Sequence, residues 1–199
     1  MKIINDIDGL EAVYDAAVKT SLTKVVPRLT PLYAQWINTA RFCVLSTVGP
    51  EGTDASPRGD IGPVVRMVDD TTLWLPDWRG NNRMDSLRNI VRDGRVSLMF
   101  MVPGSSNVIR INGTAVLSDD PAVTQTFEQR GKHPKTVIVF TVGEAYFQCA
   151  KAIMRSELWT SEPVEGLPRA GEFIQEQQAD FDGKTYDEGY AESAKGRMW

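Results

Sequence analysis

Apolar and polar positions change period several times along this chain. In the first forty residues Leu10, Val13, Ala17 and Val18 recur at helical spacing behind Asp6 or Asp8 as a cap. Thr30-Pro31 reads as a cap followed by proline at the first helical position, opening a helix through Asn38. From Arg41 the pattern turns to short β-rich runs. Residues 41–48 stop at Gly49-Pro50-Glu51-Gly52, a second strand is expected near residues 55–58, and strands at 64–68 and 72–75 flank the turn Asp69-Asp70. Residues 83–92 then place Met84, Leu87, Ile90 and Val91 on one helical face. Residues 96–102 are almost continuously apolar, which predicts a strand covered on both faces. A strand at 108–117 carries Gly113 as a bulge position, and Asp119 or Asp120 before Pro121 caps a helix to about residue 129. A long strand at 136–146 and a helix at 147–159 follow.

This order predicts a mainly β fold with helices (α+β), built on an antiparallel barrel of six or seven strands. Residues 1–40 form an N-terminal helical segment, 41–160 the barrel domain, and 161–199 a C-terminal helix and polar tail. Beyond Gln178 the tail has five acidic and three basic residues, expected as a loose arm or a segment ordered by a partner.

Composition narrows the chemistry. With 199 residues, 42% hydrophobic and 24% charged, the chain can bury a core without metal or disulfide staples. A net charge of −4 argues against a general nucleic-acid binder. Cys43 and Cys149 are too few for a disulfide scaffold and suit a reducing compartment. The N-terminus lacks a basic stretch followed by an apolar one, and no apolar run approaches the roughly 20 residues of a membrane span. A cytoplasmic protein with no membrane association is expected. Gly-rich dinucleotide and phosphate loops, zinc spacings and the serine-nucleophile elbow are all missing. The single histidine, His133, sits in an expected surface loop, so no metal site is expected and a cofactor is the natural carrier of any reaction.

One stretch departs from the overall acidity. Between Arg79 and Arg95 five arginines face two aspartates. Gly80-Asn81-Asn82 suits a left-handed turn, and Asn81 or Asn82 can cap the helix that follows. Arg79, Asn82, Arg83 and Ser86 then gather at a helix start, where forked donors and partial positive charge favour a phosphate. Arg88, Arg92 and Arg95 lie beyond the first turn and fit a solvated face. Arg66, among the apolar residues of 64–68, is either an edge residue or an inward charge awaiting an anion. Lys151, Arg155 and Trp159 fall at i, i+4 and i+8 of the expected last helix, either a solvated face or a basic and aromatic stripe over a ligand.

Taken in order, Arg66-Met67-Val68, Leu73-Trp74-Leu75-Pro76, the Asn/Arg/Ser turn, residues 93–100 and residues 108–113 resemble the pyridoxamine 5′-phosphate oxidase family. Ser56-Pro57-Arg58-Gly59-Asp60, residues 80–90 and Cys149-Ala150-Lys151-Ala152 with Arg155-Ser156 and Leu158-Trp159 resemble an oxidase-related subgroup of FMN-binding proteins. The resemblance implies an antiparallel split β-barrel of the FMN-binding type, a homodimer with the flavin at the subunit interface, and a small-molecule substrate. By position it implies that Arg66 reaches the flavin phosphate, that Met67 and Val68 offer backbone to the ring, and that Leu75 and Pro76 touch the ribityl chain or ring. Arg79, Asn82, Arg83 and Ser86 would hold the phosphate, and Lys151, Arg155 and Trp159 would enter the partner's site.

The chain departs from the oxidase itself. The Ser-Arg-Lys triplet is replaced by Asn82, Arg83 and Ser86, Val108 stands where the oxidase has glutamine, and Gln148 stands where the subgroup often has histidine. The oxidase's C-terminal tryptophan and arginine have no match. FMN binding is therefore implied, whereas oxidation of pyridoxamine phosphate is not, and no residue stands out as catalytic acid or base. The expectation is an FMN-dependent oxidoreductase. The alternatives are a non-catalytic flavin-binding or sensing module, or a haem- or deazaflavin-binding relative on the same barrel.

Overall fold

In the computed structural model, which describes residues 1–199, the chain opens with three short helices, α1 (Ile7–Glu11), α2 (Lys19–Thr23) and α3 (Pro31–Ile37). Asp6 caps α1, its Oδ1 accepting from Gly9 N at 2.7 Å. The helix stops at Glu11, so the expected continuation through Val13, Ala17 and Val18 does not form. Neither α1 nor α2 buries a residue, and a one-turn helix without a packed face has little to propagate it. The Thr30-Pro31 signal does open α3, which is anchored by the fully buried Ile37.

Strands β1 (Phe42–Gly49) and β2 (Gly52–Gly59) form a hairpin with Gly49 opposite Gly52. The expected strand at 64–68 contracts to β3 (Arg66–Met67). Val64 and Val65 are neighbours and both buried, which a strand with one covered face does not allow. Val64 N instead donates to Ala40 O at 2.9 Å, and Arg66 and Val68 are exposed. There follow β4 (Thr72–Asp77), α4 (Asp85–Arg92), β5 (Arg95–Met101), β6 (Val108–Ser118), α5 (Pro121–Thr124) and β7 (Thr136–Gln148). Asp120 caps α5, accepting from Ala122 N at 2.8 Å, but that helix closes after four residues rather than reaching 129.

The seven strands make one antiparallel sheet in the order β2-β1-β5-β6-β7-β4-β3. Leu45, Leu73, Leu98, Phe100, Ile111, Ile138 and Phe140 point into one core and are fully buried. Each contributes roughly 1.5–3 kcal/mol by leaving water. On β5 the alternation is one-sided: Val96, Leu98 and Phe100 are buried while Ser97, Met99 and Met101 are half-buried, so the second face is only partly covered. The bulge expected at Gly113 is present, as a register shift between Asn112 and Gly113. A Cβ there would lie 2.0 Å from Thr141 O, so the strands close only around glycine.

The end strands β2 and β3 share no ladder, and the barrel is split between them. β3 covers the outer edge of β4 only at Leu73 and Trp74. Leu75, Pro76 and Asp77 therefore face an open seam, and a proline without an N–H is tolerated there because no strand needs it.

β7 runs past the expected end, because Phe147 and Gln148 still pair with Ile109 and Val108. The expected helix at 147–159 is reduced to α6 (Lys151–Arg155), and the chain turns at Glu157 with φ 50°. Two further helices, α7 (Ala170–Gln177) and α8 (Gly183–Lys195), pack together where Gly171 meets Gly183. The segment beyond Gln178 is thus ordered on its own chain. Asp182 caps α8 through Thr185 N at 3.0 Å. The end of the chain returns to the loop before β7: Lys132 Nζ donates to Trp199 O at 2.9 Å, and the Arg130 guanidinium lies 4.8 Å from the Trp199 ring centroid.

Candidate functional site

The seam between β2 and β4 opens into a cleft of about 1390 Å³. Its walls are β2, the end of β4 with the loop into α4, the start of β7, and the outer part of α8. Two polar links cross the seam where backbone pairing is missing. Arg58 Nη1 bonds Asp77 Oδ1 at 2.5 Å. Asp60 accepts from Trp78 Nε1 at 2.7 Å and from Gln129 Nε2 at 3.0 Å. Together they hold Asp77 and Trp78 in place, and the arginine-rich loop departs from the next residue.

That loop is built differently from the expected Asn-capped helix. The N-cap of α4 is Met84, at φ 61° and ψ 22°, and no side chain caps the helix. Asn81 Oδ1 accepts from Arg83 N at 3.0 Å, an Asx turn inside the loop, while Asn82 adopts φ 60°. Asn and Asp visit left-handed backbone more readily than Met, whose Cβ crowds the following carbonyl. The first-turn N–H groups of α4, whose residues line the cleft, thus have no side-chain cap, and such groups favour an anion.

Arg79, Asn82 and Arg83 are exposed on this loop, with Arg83 Nε on Asp85 Oδ2 at 2.5 Å. Ser86 is buried and its hydroxyl donates to Asp54 Oδ2 of β2. Leu75 and Pro76, both buried, form an apolar patch of the wall. Six expected residues therefore converge on one cleft: Leu75, Pro76, Arg79, Asn82, Arg83 and Ser86. Beyond them, Arg92 and Arg95 form surface pairs with Glu51 and Asp93. Hydrogen bonds from Arg95 hold the exposed Asp93 carboxyl below its ordinary range.

The other expected residues lie elsewhere in the chain. Arg66 sits on the edge strand β3, donating to Thr126 Oγ1 at 2.6 Å and Thr126 O at 2.8 Å, its guanidinium 4.0 Å from the Phe127 ring centroid. Of the two readings open for it, the structure takes the edge residue. Met67 and Val68 continue from it outside the cleft lining. Lys151 and Arg155 are exposed on α6, at the far end of β7. Trp159 does not share their helical face, because α6 ends first, and its Nε1 donates to Ser105 O at 2.7 Å.

The cleft contains residues to which no role was given. Arg58 belongs to the Ser56–Asp60 motif that carried the resemblance, and Lys135, Thr136, Tyr186, Tyr190 and Arg197 also line the wall. Only Arg58 Nε and Thr136 Oγ1 are buried side-chain polar atoms without a partner, and both residues belong to the cleft. Thr136 pairs with Asp77 in the β4–β7 register, so the two stand on the same face of the sheet. A buried donor without an acceptor is costly unless a ligand supplies one. The signal available in the sequence was the motif itself; its target, Asp77, is nineteen residues away.

Cys43 and His133 are not placed for chemistry in the cleft, and Cys149, though exposed, lies outside its lining. Burial pushes the Cys43 thiol up to about 12, against the opposing pull of the Arg58 charge. His133 Nδ1 is 2.6 Å from Phe127 O and lies outside the cleft.

Residues 29–149 match the pyridoxamine 5′-phosphate oxidase family. No curated protein matches the chain. Among solved structures, the fold is similar to that of a HupZ variant from Group A Streptococcus, with 20% identity over 60% of this chain and 98% of that one and a TM-score of 0.50. It is also similar to an FMN-binding protein from Syntrophomonas wolfei (16% identity, 56% and 79% covered, TM-score 0.44) and to General Stress Protein 26 from Bacillus anthracis (16%, 57% and 88%, 0.42). With more than half of its length matched, the chain belongs to the pyridoxamine 5′-phosphate oxidase family.

Proposed function

We propose that this protein is an FMN-binding oxidoreductase acting on a small molecule, a cytoplasmic homodimer with the flavin at the subunit interface. Family membership supports a flavin-binding class. The observation that carries the reading is the convergence of Arg79, Asn82 and Arg83 on the uncapped start of α4. Forked donors, partial positive charge and free N–H groups meet there, and a phosphate satisfies all three. The unpartnered Arg58 Nε in the same cleft fits the same group, as a donor still awaiting an acceptor.

Each residue then has a task. Arg79 and Arg83 neutralise the phosphate, and Asn82 and the α4 amides orient it. Ser86 holds β2 against α4 through Asp54, and joins the phosphate shell when its hydroxyl turns from that carboxylate. Leu75 and Pro76 exclude water from one side of the flavin. Arg58 takes the strand-arginine part that the resemblance gave to Arg66, whose donors are occupied by Thr126. Met67, Val68, Lys151, Arg155 and Trp159, which lie outside the cleft of their own chain, are assigned to the partner's site. When bound, FMN supplies hydride acceptance and donation at N5. One observation favours a second reading, a non-catalytic flavin carrier: each cleft carboxylate is already bonded, to Arg58, Trp78, Arg83 or Ser86.

The absorption spectrum of the purified protein tests the cofactor. A flavin band, or saturable uptake of added FMN, is expected. A colourless protein that takes up no FMN overturns the reading, and a Soret band assigns haem instead. Turnover with NADH or NADPH and a panel of oxidants separates oxidoreductase from carrier.

A further inference from the structure

The cleft, of about 1390 Å³, is lined by more than the phosphate-binding loop. The phosphate-binding loop accounts for one wall. The facing wall is made by α8, which places Tyr186 and Tyr190 one helical turn apart with ring centroids 5.7 Å from each other. Tyr186 and Tyr190 are 36% and 50% exposed, Tyr186 also packing on Phe181 with ring centroids 5.5 Å apart. The parts of these rings left open on the cavity wall are costly to keep wet, and they offer aromatic surface to a flat ligand.

Charge identifies the ligand further. Asp54, Asp60, Asp77 and Asp85 are all bonded to Ser86, Trp78, Arg58 and Arg83. Lys135, by contrast, has no acidic partner, and Arg197 bonds only Ser193, through Nε and Nη2. Beside Lys135, Thr136 Oγ1 is buried with nothing to bond. The cleft therefore also holds two cations without a carboxylate partner, one unbonded hydroxyl and the exposed parts of two tyrosine rings.

We propose that Tyr186, Tyr190, Lys135, Thr136 and Arg197 form a second ligand subsite that takes a planar aromatic carboxylate. The ring lies against the tyrosines of α8. The carboxylate accepts from Thr136 Oγ1 and from the two cations, neither of which has a carboxylate partner in the chain. This rests on the flavin reading for its role, since it names the substrate class of that site, but not for its existence. The tyrosine wall belongs to the segment whose order the sequence alone does not predict, and the clasp between Lys132 and Trp199 holds it over the cleft.

Calorimetric titration of the FMN-loaded protein with 2-naphthoate tests it, with cyclohexanecarboxylate and naphthalene-2-carboxamide as comparisons. Saturable binding of 2-naphthoate is expected, about tenfold tighter than either comparison. Tyr190→Ala, on an exposed helix face, and Thr136→Val, which keeps the shape of the side chain, are each expected to weaken 2-naphthoate about tenfold while moving the FMN affinity less than about twofold. No saturable binding by the unaltered protein, or equal binding by both variants, overturns the subsite. If FMN fails to bind while 2-naphthoate still does, the flavin reading falls and the subsite stands.

Discussion

Arg58 Nη1 lies 2.5 Å from Asp77 Oδ1 and joins β2 to β4 where no backbone ladder does. The two side chains are only 18% and 21% exposed, so each has given up most of its water. Removing one partner strands the other charge, and that is costlier than removing both. Asp77→Ala is expected to destabilise the fold by about 3 kcal/mol. The double change Arg58→Met with Asp77→Leu is expected to recover most of the loss. Urea denaturation of the single and double variants checks this, and a double variant as unstable as Asp77→Ala contradicts it.

The same cleft distinguishes the arginines from one another. Arg83→Ala and Arg79→Ala each remove a charged donor from the phosphate loop, at roughly 1.5–2 kcal/mol per bond, or about 10- to 30-fold in FMN affinity. Raising the salt concentration should narrow the gap between these variants and the unaltered protein. Arg66→Ala is expected to leave FMN affinity unchanged. Its cost appears as about 1 kcal/mol of stability, through the lost stacking on Phe127 and the bonds to Thr126. Fluorescence titration with FMN beside a melting curve reads both quantities. A large affinity loss in Arg66→Ala returns the phosphate to β3.

The two cysteines should behave as opposites. Cys43 is buried and its thiol is pushed up to about 12, whereas Cys149 is exposed. Thiolate is the reactive form, so at pH 8 one thiol per chain is expected to react quickly with a disulfide reagent and the second only on unfolding. Raising the pH toward 12 brings Cys43 into its ionising range. Arg58→Met removes the one charge that lowers this thiol and shifts its reaction to still higher pH. Two fast thiols in the native protein at pH 8 would contradict the burial.

How much of this was legible in the sequence depends on the range of the interaction. The β-rich runs at 41–48, 96–102 and 136–146 were legible as strands, because their composition needs no partner to be read, and β1, β5 and β7 form there. Gly113 and Asp120-Pro121 were legible for the same reason, being local backbone devices. That only one face of β5 is fully buried was not legible, since it depends on what packs against the strand. The helix expected at 147–159 failed where a distant strand decided the outcome: Phe147 and Gln148 stay extended because Ile109 and Val108 are beside them. Arg66 and Arg58 show the same contrast. The apolar neighbours of Arg66 left an inward reading open beside the edge one, because Val64 and Val65 are buried by a bend rather than by a strand. Arg58 offers no local sign of its partner across the seam. The order of α8 depends on Gly171 and on Arg130 and Lys132, none of which its own composition reveals.

That last dependence is open to a direct test. A Cβ on Gly171 would lie 2.1 Å from the Gly183 carbonyl oxygen, and one on Gly183 would lie 2.6 Å from the Gly171 carbonyl oxygen. Both obstacles are backbone, so neither can yield by rotating a side chain, and Gly171→Ala must push α7 and α8 apart. Gly189 lies inside α8 with nothing within 4 Å of the position a Cβ would take. Gly189→Ala is therefore expected to stabilise α8 by roughly 0.5–1 kcal/mol, through the entropy that glycine loses in a helix. The two changes add the same methyl group to the same pair of helices with opposite sign. Limited proteolysis reads the difference: Gly171→Ala should speed cleavage near residues 178–182 while the barrel melts as before, and Gly189→Ala should slow it. Equal cleavage of the two variants would mean that the glycine contact does not hold the C-terminal helices together.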